Sequence, residues 1–109
     1  MNINVDDVAG KMIAAARVVV GEKWPATQCY FESESTAFAQ RLARIAWLRS
    51  TGLISESRAQ RHLAFQKESW ETVLLAVDGL NQLMVEQALN AALSAVNEVV
   101  NTAVGFALL

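Results

Sequence analysis

The sequence predicts an all-α protein, a helical bundle in a single domain that spans residues 1–109. Alanine and leucine are abundant, Pro25 is the only proline and the chain has five glycines, so long segments contain no helix-breaking residue. Apolar residues recur at spacings of three and four, the pattern of one face of a helix. No segment of useful length alternates between apolar and polar residues, which is the pattern of a half-buried strand.

The first predicted helix, helix A, spans about residues 4–23. Asn4 is a residue type preferred at helix N-caps, and Asp7 follows three residues later. The helix should end between Gly21 and Trp24, because a residue that precedes a proline is pushed away from helical geometry. Its apolar face comprises Val5, Val8, Met12, Ala15/Ala16 and Val19/Val20.

The second predicted helix, helix B, spans about residues 26–51. Pro25 suits the first position of a helix, because its ring presets the helical φ angle. The segment Ser50–Gly52 supplies a C-terminal glycine, and Leu53 follows as the hydrophobic residue common after such a cap. Ser55 is then the N-cap of the next helix, so the two helices form a tight hairpin. The apolar side comprises Phe31, Phe38, Leu42, Ile45 and Leu48.

The third predicted helix, helix C, spans about residues 55–104. It contains no proline, and Asp78–Gly79 is its one interior interruption. At about 100° per residue, the apolar residues before and after Gly79 point into nearly the same sector, whereas a loop would normally reset the phase. We therefore expect one continuous helix of roughly 75 Å. The alternative is a monomeric four-helix bundle that is broken at Gly79.

The apolar arc of helix C beyond Gly79 is roughly 200° wide, about twice the stripe of a typical surface helix. Helices A and B are about half as long as helix C and cannot cover all of it. We therefore expect self-association into a homodimer or higher oligomer. The predicted oligomer interface consists largely of small residues that permit close helix approach: Met84, Ala88, Ala91, Ala92, Ala95 and Val99.

The charges are distributed unevenly. Residues 41–67 carry six bases and one acid, whereas residues 68–109 carry five acids and no base. The basic hairpin of one subunit could therefore lie against the acidic C-terminal helix of another, which is the interpretation that the sequence favours. The alternative is a patch that binds nucleic acid or an acidic protein, and the net charge of −2 argues against nucleic acid. The predicted patch consists of Arg41, Arg44, Arg58 and Arg61.

No motif indicates catalysis, a cofactor or a metal. His62 is the only histidine, and the residues three and four positions from it include no carboxylate. Cys29 is the only cysteine and cannot form an internal disulfide. We therefore expect a protein that is not an enzyme and that needs no cofactor, with a structural or protein-interaction role. Three tryptophans either pack in the core or line a ligand pocket: Trp24, Trp47 and Trp70.

The expected location is the cytoplasm. Residues 1–7 lack the basic start of a secretory signal, and a single cysteine suits a reducing compartment. The longest charge-free runs within residues 73–109 are 11 residues, short of the roughly 18 that a membrane span needs. A second alternative function is association with a membrane surface through the apolar end of the chain, Val99 to Leu109.

Overall fold

A computed structural model, which describes residues 3–109, shows four α-helices and no strand among those residues. The predicted all-α helical bundle is confirmed. A short 3-10 turn, Gly21–Lys23, joins the first two helices. The helices are α1 (Val5–Val20), α2 (Trp24–Ser50), α3 (Glu56–Leu75) and α4 (Gln82–Val104).

The four helices form an elongated bundle of 43 × 22 × 18 Å. Helix α1 packs against α2 and α4, and α3 packs against the same two helices, so that α1 and α3 lie at opposite corners. The contact between α1 and α4 is the most extensive in the bundle. The radius of gyration is 13.7 Å, close to the roughly 13 Å expected for a compact chain of this length.

Local sequence signals define the ends of the first helices. The side chain of Asn4 accepts a hydrogen bond from the backbone N–H of Asp7 at 3.0 Å, which is the predicted N-cap. Helix α1 ends at Val20 and not at residue 23, because Gly21 takes a φ of +54° and redirects the chain. Helix α2 begins at Trp24, two residues before the predicted start.

The turn between α2 and α3 has the predicted geometry. Gly52 adopts a φ of +74°, and the N–H of Leu53 donates to the carbonyl of Leu48 at 2.9 Å, which together are typical of a Schellman cap. Ser55 then caps α3 by accepting a hydrogen bond from the N–H of Arg58 at 3.2 Å. The two helices therefore form a fixed antiparallel hairpin.

The prediction of one continuous helix C over about 55–104 is wrong. Helix α3 ends at Leu75, and the chain turns before α4 begins at Gln82. Gly79 adopts a φ of +90°, which no α-helix contains. Asn81 caps α4 by accepting a hydrogen bond from the N–H of Met84 at 2.9 Å. The chain thus takes the alternative, a four-helix bundle that is broken at Gly79.

Burial of apolar surface explains why the chain folds back. Val77 and Leu80, on either side of the break, are themselves buried, so the turn contributes to the core. Much of the wide apolar arc of α4 is covered by α1 and α2 within one chain. The buried residues of α4 are Val85, Ala88, Leu89, Ala92, Val96, Val100 and Val104.

Two of the three tryptophans are core residues. Trp24 stacks on Phe31 with ring centroids 5.8 Å apart, and Trp70 packs against Phe38 at 5.0 Å. Trp47 is different because it is 55% exposed. Of the two roles considered for the tryptophans, Trp24 and Trp70 therefore have the packing role, and Trp47 lies on the surface.

Candidate functional site

The most distinctive surface of the bundle is formed by the hairpin of α2 and α3. A cleft of about 370 Å³, here called the α2–α3 groove, runs between the end of α2 and the start of α3. A second, adjoining cleft of about 270 Å³ on α3 is here called the α3 hole. The α2–α3 groove is lined by Arg41, Arg44, Ile45, Leu48, His62 and Gln66. The α3 hole is lined by Arg58, Arg61, His62 and Phe65.

The structure brings together the four arginines that the sequence singled out. Arg41 and Arg44 line the groove from α2, Arg58 and Arg61 line the hole from α3, and His62 borders both clefts. This arrangement follows from the tight turn at Gly52 and Ser55, which sets the end of α2 beside the start of α3. The four arginines therefore border two adjoining clefts that share His62, and they are together called the basic face.

None of these four arginines is neutralised by an acidic side chain of the described residues. The ion pairs within residues 3–109 join Lys11 to Asp7 at 3.3 Å and Arg49 to Glu56 at 3.7 Å. All four arginines of the basic face are exposed. The face therefore presents four solvated positive charges in a protein whose net charge is −2.

Arg49 has a different role from the arginines of the basic face. Its Nη1 donates a hydrogen bond to the carbonyl of Ile54 at 2.9 Å, and its guanidinium lies 5.5 Å from the ring centroid of Phe106. These contacts connect the hairpin turn to the C-terminal segment. Arg49 therefore stabilises the scaffold on which the basic face is built.

Apolar side chains accompany the charges. Ile45 is buried at the base of the α2–α3 groove and Leu48 is half-buried beside it. Phe65 is 67% exposed at the edge of the α3 hole, and Trp47 lies three residues beyond Arg44 on α2. Exposed aromatic and arginine side chains are the residue types enriched at protein–protein interfaces. The basic face thus combines charge with apolar surface.

The predicted oligomer interface on α4 does not form a continuous surface. Ala88 is 1% exposed and Ala92 is fully buried, because this side of α4 is part of the core of a single chain. Met84 and Ala91 are half-buried. This is a correction: two central positions of the predicted interface are inaccessible to a second copy. Ala95 and Val99 remain exposed.

A groove of about 280 Å³ lies between α3 and α4, and no sequence pattern predicted it. The end of the chain forms one wall of it. The side chain of Asn101 accepts hydrogen bonds from the N–H groups of Leu108 and Leu109, both at 2.9 Å, and Leu108 is buried. The packing of this terminal segment depends on tertiary contacts that no local pattern indicates. The groove is lined by Leu63, Lys67, Asn90, Leu93, Ser94, Asn97, Leu108 and Leu109.

The potentially reactive side chains are dispersed. His62 and Cys29 are both exposed and lie on different helices. Across residues 3–109, no three His, Cys, Asp or Glu side chains come close enough together to hold a metal ion. No helix in this part of the chain has the length and apolar character needed to cross a membrane.

Comparisons with protein-family models, with curated proteins and with solved structures found no match to this chain.

Proposed function

We propose that the chain is a non-enzymatic protein-interaction module that binds an acidic, amphipathic segment of another protein at its basic face. One observation carries the proposal: Arg41 and Arg44 line a groove with an apolar floor, Arg58 and Arg61 line the cleft beside it, and none of the four has an acidic partner within the described chain. A helix with one apolar face and acidic flanks would complement this surface. Its apolar side chains would contact Ile45 and Leu48, and its carboxylates would pair with the arginines.

The residue types favour a protein ligand over nucleic acid. Arginine pairs with carboxylates through two parallel hydrogen bonds, which makes it suited to interfaces. Nucleic acid would bind the four charges through its phosphates, and the apolar floor of the groove would then have no apolar group to contact. The remainder of the protein is acidic, since the other residues outweigh the basic hairpin to give a net charge of −2. A long polyanion would be repelled by that surface.

We place this activity in the cytoplasm. The proposal is supported by the single cysteine, Cys29, which is free and exposed, since free exposed thiols are typical of reducing compartments. The same face is available in a single chain, so one copy is enough to bind one segment.

Fluorescence anisotropy with three labelled probes tests the proposal. The first is an amphipathic peptide of leucine and glutamate, the second has glutamine at every glutamate position, and the third is a short DNA duplex. We expect binding of the acidic peptide, much weaker binding of the glutamine peptide, and no binding of the duplex. Preference for the duplex, with affinity that falls steeply between about 50 mM and 200 mM salt, would identify a nucleic-acid site instead.

Two charge reversals that alter the net charge equally provide the control. Arg44→Glu reverses a charge in the groove and should weaken peptide binding by about tenfold or more, because loss of a charged interface contact costs about 2 kcal/mol. Lys11→Glu makes the same change on α1, where Lys11 forms an ion pair with Asp7 at 3.3 Å, and should leave binding within about twofold. Replacement of Arg41, Arg44, Arg58 and Arg61 together by alanine should abolish binding. Equal losses for both reversals would show that net charge, and not the groove, attracts the peptide.

A further inference from the structure

The outward face of α3 has an unusual order of charged and apolar residues. Helix α3 buries only Ala59, Trp70 and Leu74 completely. On its opposite side, Phe65 is 67% exposed, with Arg61 one turn before it and Glu68 one turn after it. At about 100° per residue, Arg61 and Glu68 lie about 40° and 60° from Phe65, on the same side. A positive charge, an aromatic ring and a negative charge thus follow one another along one surface.

The α3 hole has the spacing of a helix-packing site. Arg58, Arg61, His62 and Phe65 stand at positions i, i+3, i+4 and i+7, the four residues that surround a knob from a facing helix in knobs-into-holes packing. The cleft has a volume of about 270 Å³. Neither Glu68 nor the two arginines of the hole form an ion pair within residues 3–109. No side chain of the described residues fills the α3 hole, and the exposed ring of Phe65 is free to act as a knob in the hole of another helix.

We propose that the occupant is a second copy of this chain, in an antiparallel contact of the two α3 helices about a twofold axis. The Phe65 ring of each copy enters the α3 hole of the other. Because the helices run in opposite directions, Glu68, about 4.5 Å beyond Phe65 along the axis, reaches Arg58 and Arg61 of the second copy. A twofold axis repeats each of these contacts, so one surface complements itself.

Charge order selects the antiparallel direction. The first half of α3 carries Arg58 and Arg61, together with Glu56, which pairs with Arg49 at 3.7 Å, and its second half carries Lys67, Glu68 and Glu71. A parallel pair would place like charges side by side, whereas an antiparallel pair places the basic half of each helix against the acidic half of the other. The sequence predicts that a basic and an acidic segment of two subunits meet. In the contact proposed here, both segments belong to the exposed side of α3.

This proposal shares Arg58 and Arg61 with the basic face of the proposed function, and the two are told apart by residues that only one of them uses. The dimer contact uses the outward face of α3, whereas Arg41 and Arg44 line the α2–α3 groove from α2. Variants at Arg44 test the peptide site, and variants at Glu68 test the dimer. Failure of either proposal can therefore be recognised without reference to the other.

The experiment mixes two variants with complementary charges. Variant one is Glu68→Arg, which leaves only bases at positions 58, 61 and 68, and variant two is Arg58→Glu with Arg61→Glu, which leaves only acids there. Each variant alone should be monomeric in sedimentation equilibrium, with dimerisation weakened at least tenfold relative to the parent chain. An equimolar mixture should form a heterodimer of twice the 11.9 kDa chain mass. All altered side chains are exposed, and circular dichroism of each variant verifies the fold.

Two further substitutions test the aromatic contact. Phe65→Ala should weaken dimerisation at least tenfold, because it removes the knob. Val18→Ala, at a position that is 82% exposed on α1, at the corner opposite α3, should leave dimerisation unchanged. The proposal is overturned if the parent chain stays monomeric up to about 1 mM, or if the mixed variants remain monomers. A parent dimer that is unaffected by Phe65→Ala would place the interface elsewhere.

Discussion

Two glycine-to-alanine substitutions distinguish a helix broken at Gly79 from a continuous one, because they should change the free energy of unfolding in opposite directions. Gly79 has a φ of +90° in the turn between α3 and α4, whereas Gly10 lies within α1. A Cβ atom added at Gly10 would meet nothing within 4 Å, and one added at Gly79 would meet only the Lys23 Cδ at 4.0 Å. Steric clash therefore contributes to the stability change of neither substitution, and the backbone conformation at each glycine determines that change.

The magnitudes follow from the two backbone conformations. An alanine in the left-handed region costs about 1–2 kcal/mol, partly offset by about 0.4–1 kcal/mol from the reduced freedom of the unfolded chain. Gly79→Ala should thus lower the free energy of unfolding by about 1 kcal/mol. Gly10→Ala should raise it by about 0.5–1 kcal/mol, because alanine is the better helix former. At about 4 °C per kcal/mol for a chain of this size, the two variants should differ in Tm by roughly 7 °C.

Urea denaturation followed by circular dichroism and by tryptophan fluorescence measures both variants. Trp24 and Trp70 are buried, so their emission reports loss of the core. Equal m values for the two variants and the parent chain would show that only stability has changed. If Gly79→Ala stabilised the protein as Gly10→Ala does, the segment around Gly79 would be helical and the turn between α3 and α4 would be refuted.

Two other substitutions test the packing and capping described above. Ser35 is fully buried on α2 and its hydroxyl has no hydrogen-bond partner, so Ser35→Ala should stabilise the fold by about 1 kcal/mol in the same urea assay. A loss of stability would show that the hydroxyl is hydrogen-bonded after all. Asn81→Ala removes the N-cap of α4 and should cost about 1 kcal/mol, with Asn97→Ala, at an exposed position within α4, as the control. A cost no larger than that of the control would contradict the cap.

Short-range signals correctly predicted the N-caps at Asn4 and Ser55 and the turn at Gly52, whereas the end of α1 and the start of α2 lie two or three residues from the predicted positions. Asn4, Gly52 and Ser55 act through hydrogen bonds to residues at most three positions away or through their own φ angle, so the sequence around each contains what determines it. The basic face was predictable for the same reason. Once the turn at Gly52 is fixed, the ends of α2 and α3 must be neighbours, and their arginines must lie together.

The break in helix C could not be found from the phase of its apolar residues. Leu74 and Val85 are both fully buried, and their separation of eleven positions advances a helix by about 1100°, only 20° past three full turns. The apolar faces of α3 and α4 therefore stay in register whether or not the chain turns between them. The relevant signal was chemical: Asn81 follows Gly79 by two residues and is a preferred N-cap type.

The burial of Ala88 and Ala92 lay beyond sequence reasoning for another reason. Both occupy helical positions that suit a core face as well as an oligomer interface, and only the arrangement of the four helices decides that they are covered. Helix α4 meets both α1 and α2, whereas α3 turns only a narrow stripe toward the bundle. The sequence pattern alone could not show that α1 and α2 of the same chain cover this part of α4.

The pairing of α1 with α4 has a consequence for how the chain folds. These two helices make the most extensive contact in the bundle, although α2 and α3 separate them along the sequence. Closing a loop of that length carries an entropic cost before the contact can form, and contacts between distant segments slow folding. During synthesis the first helix emerges from the ribosome well before its main packing surface exists. The α2–α3 hairpin can form early, but the core cannot form until α4 has been synthesised.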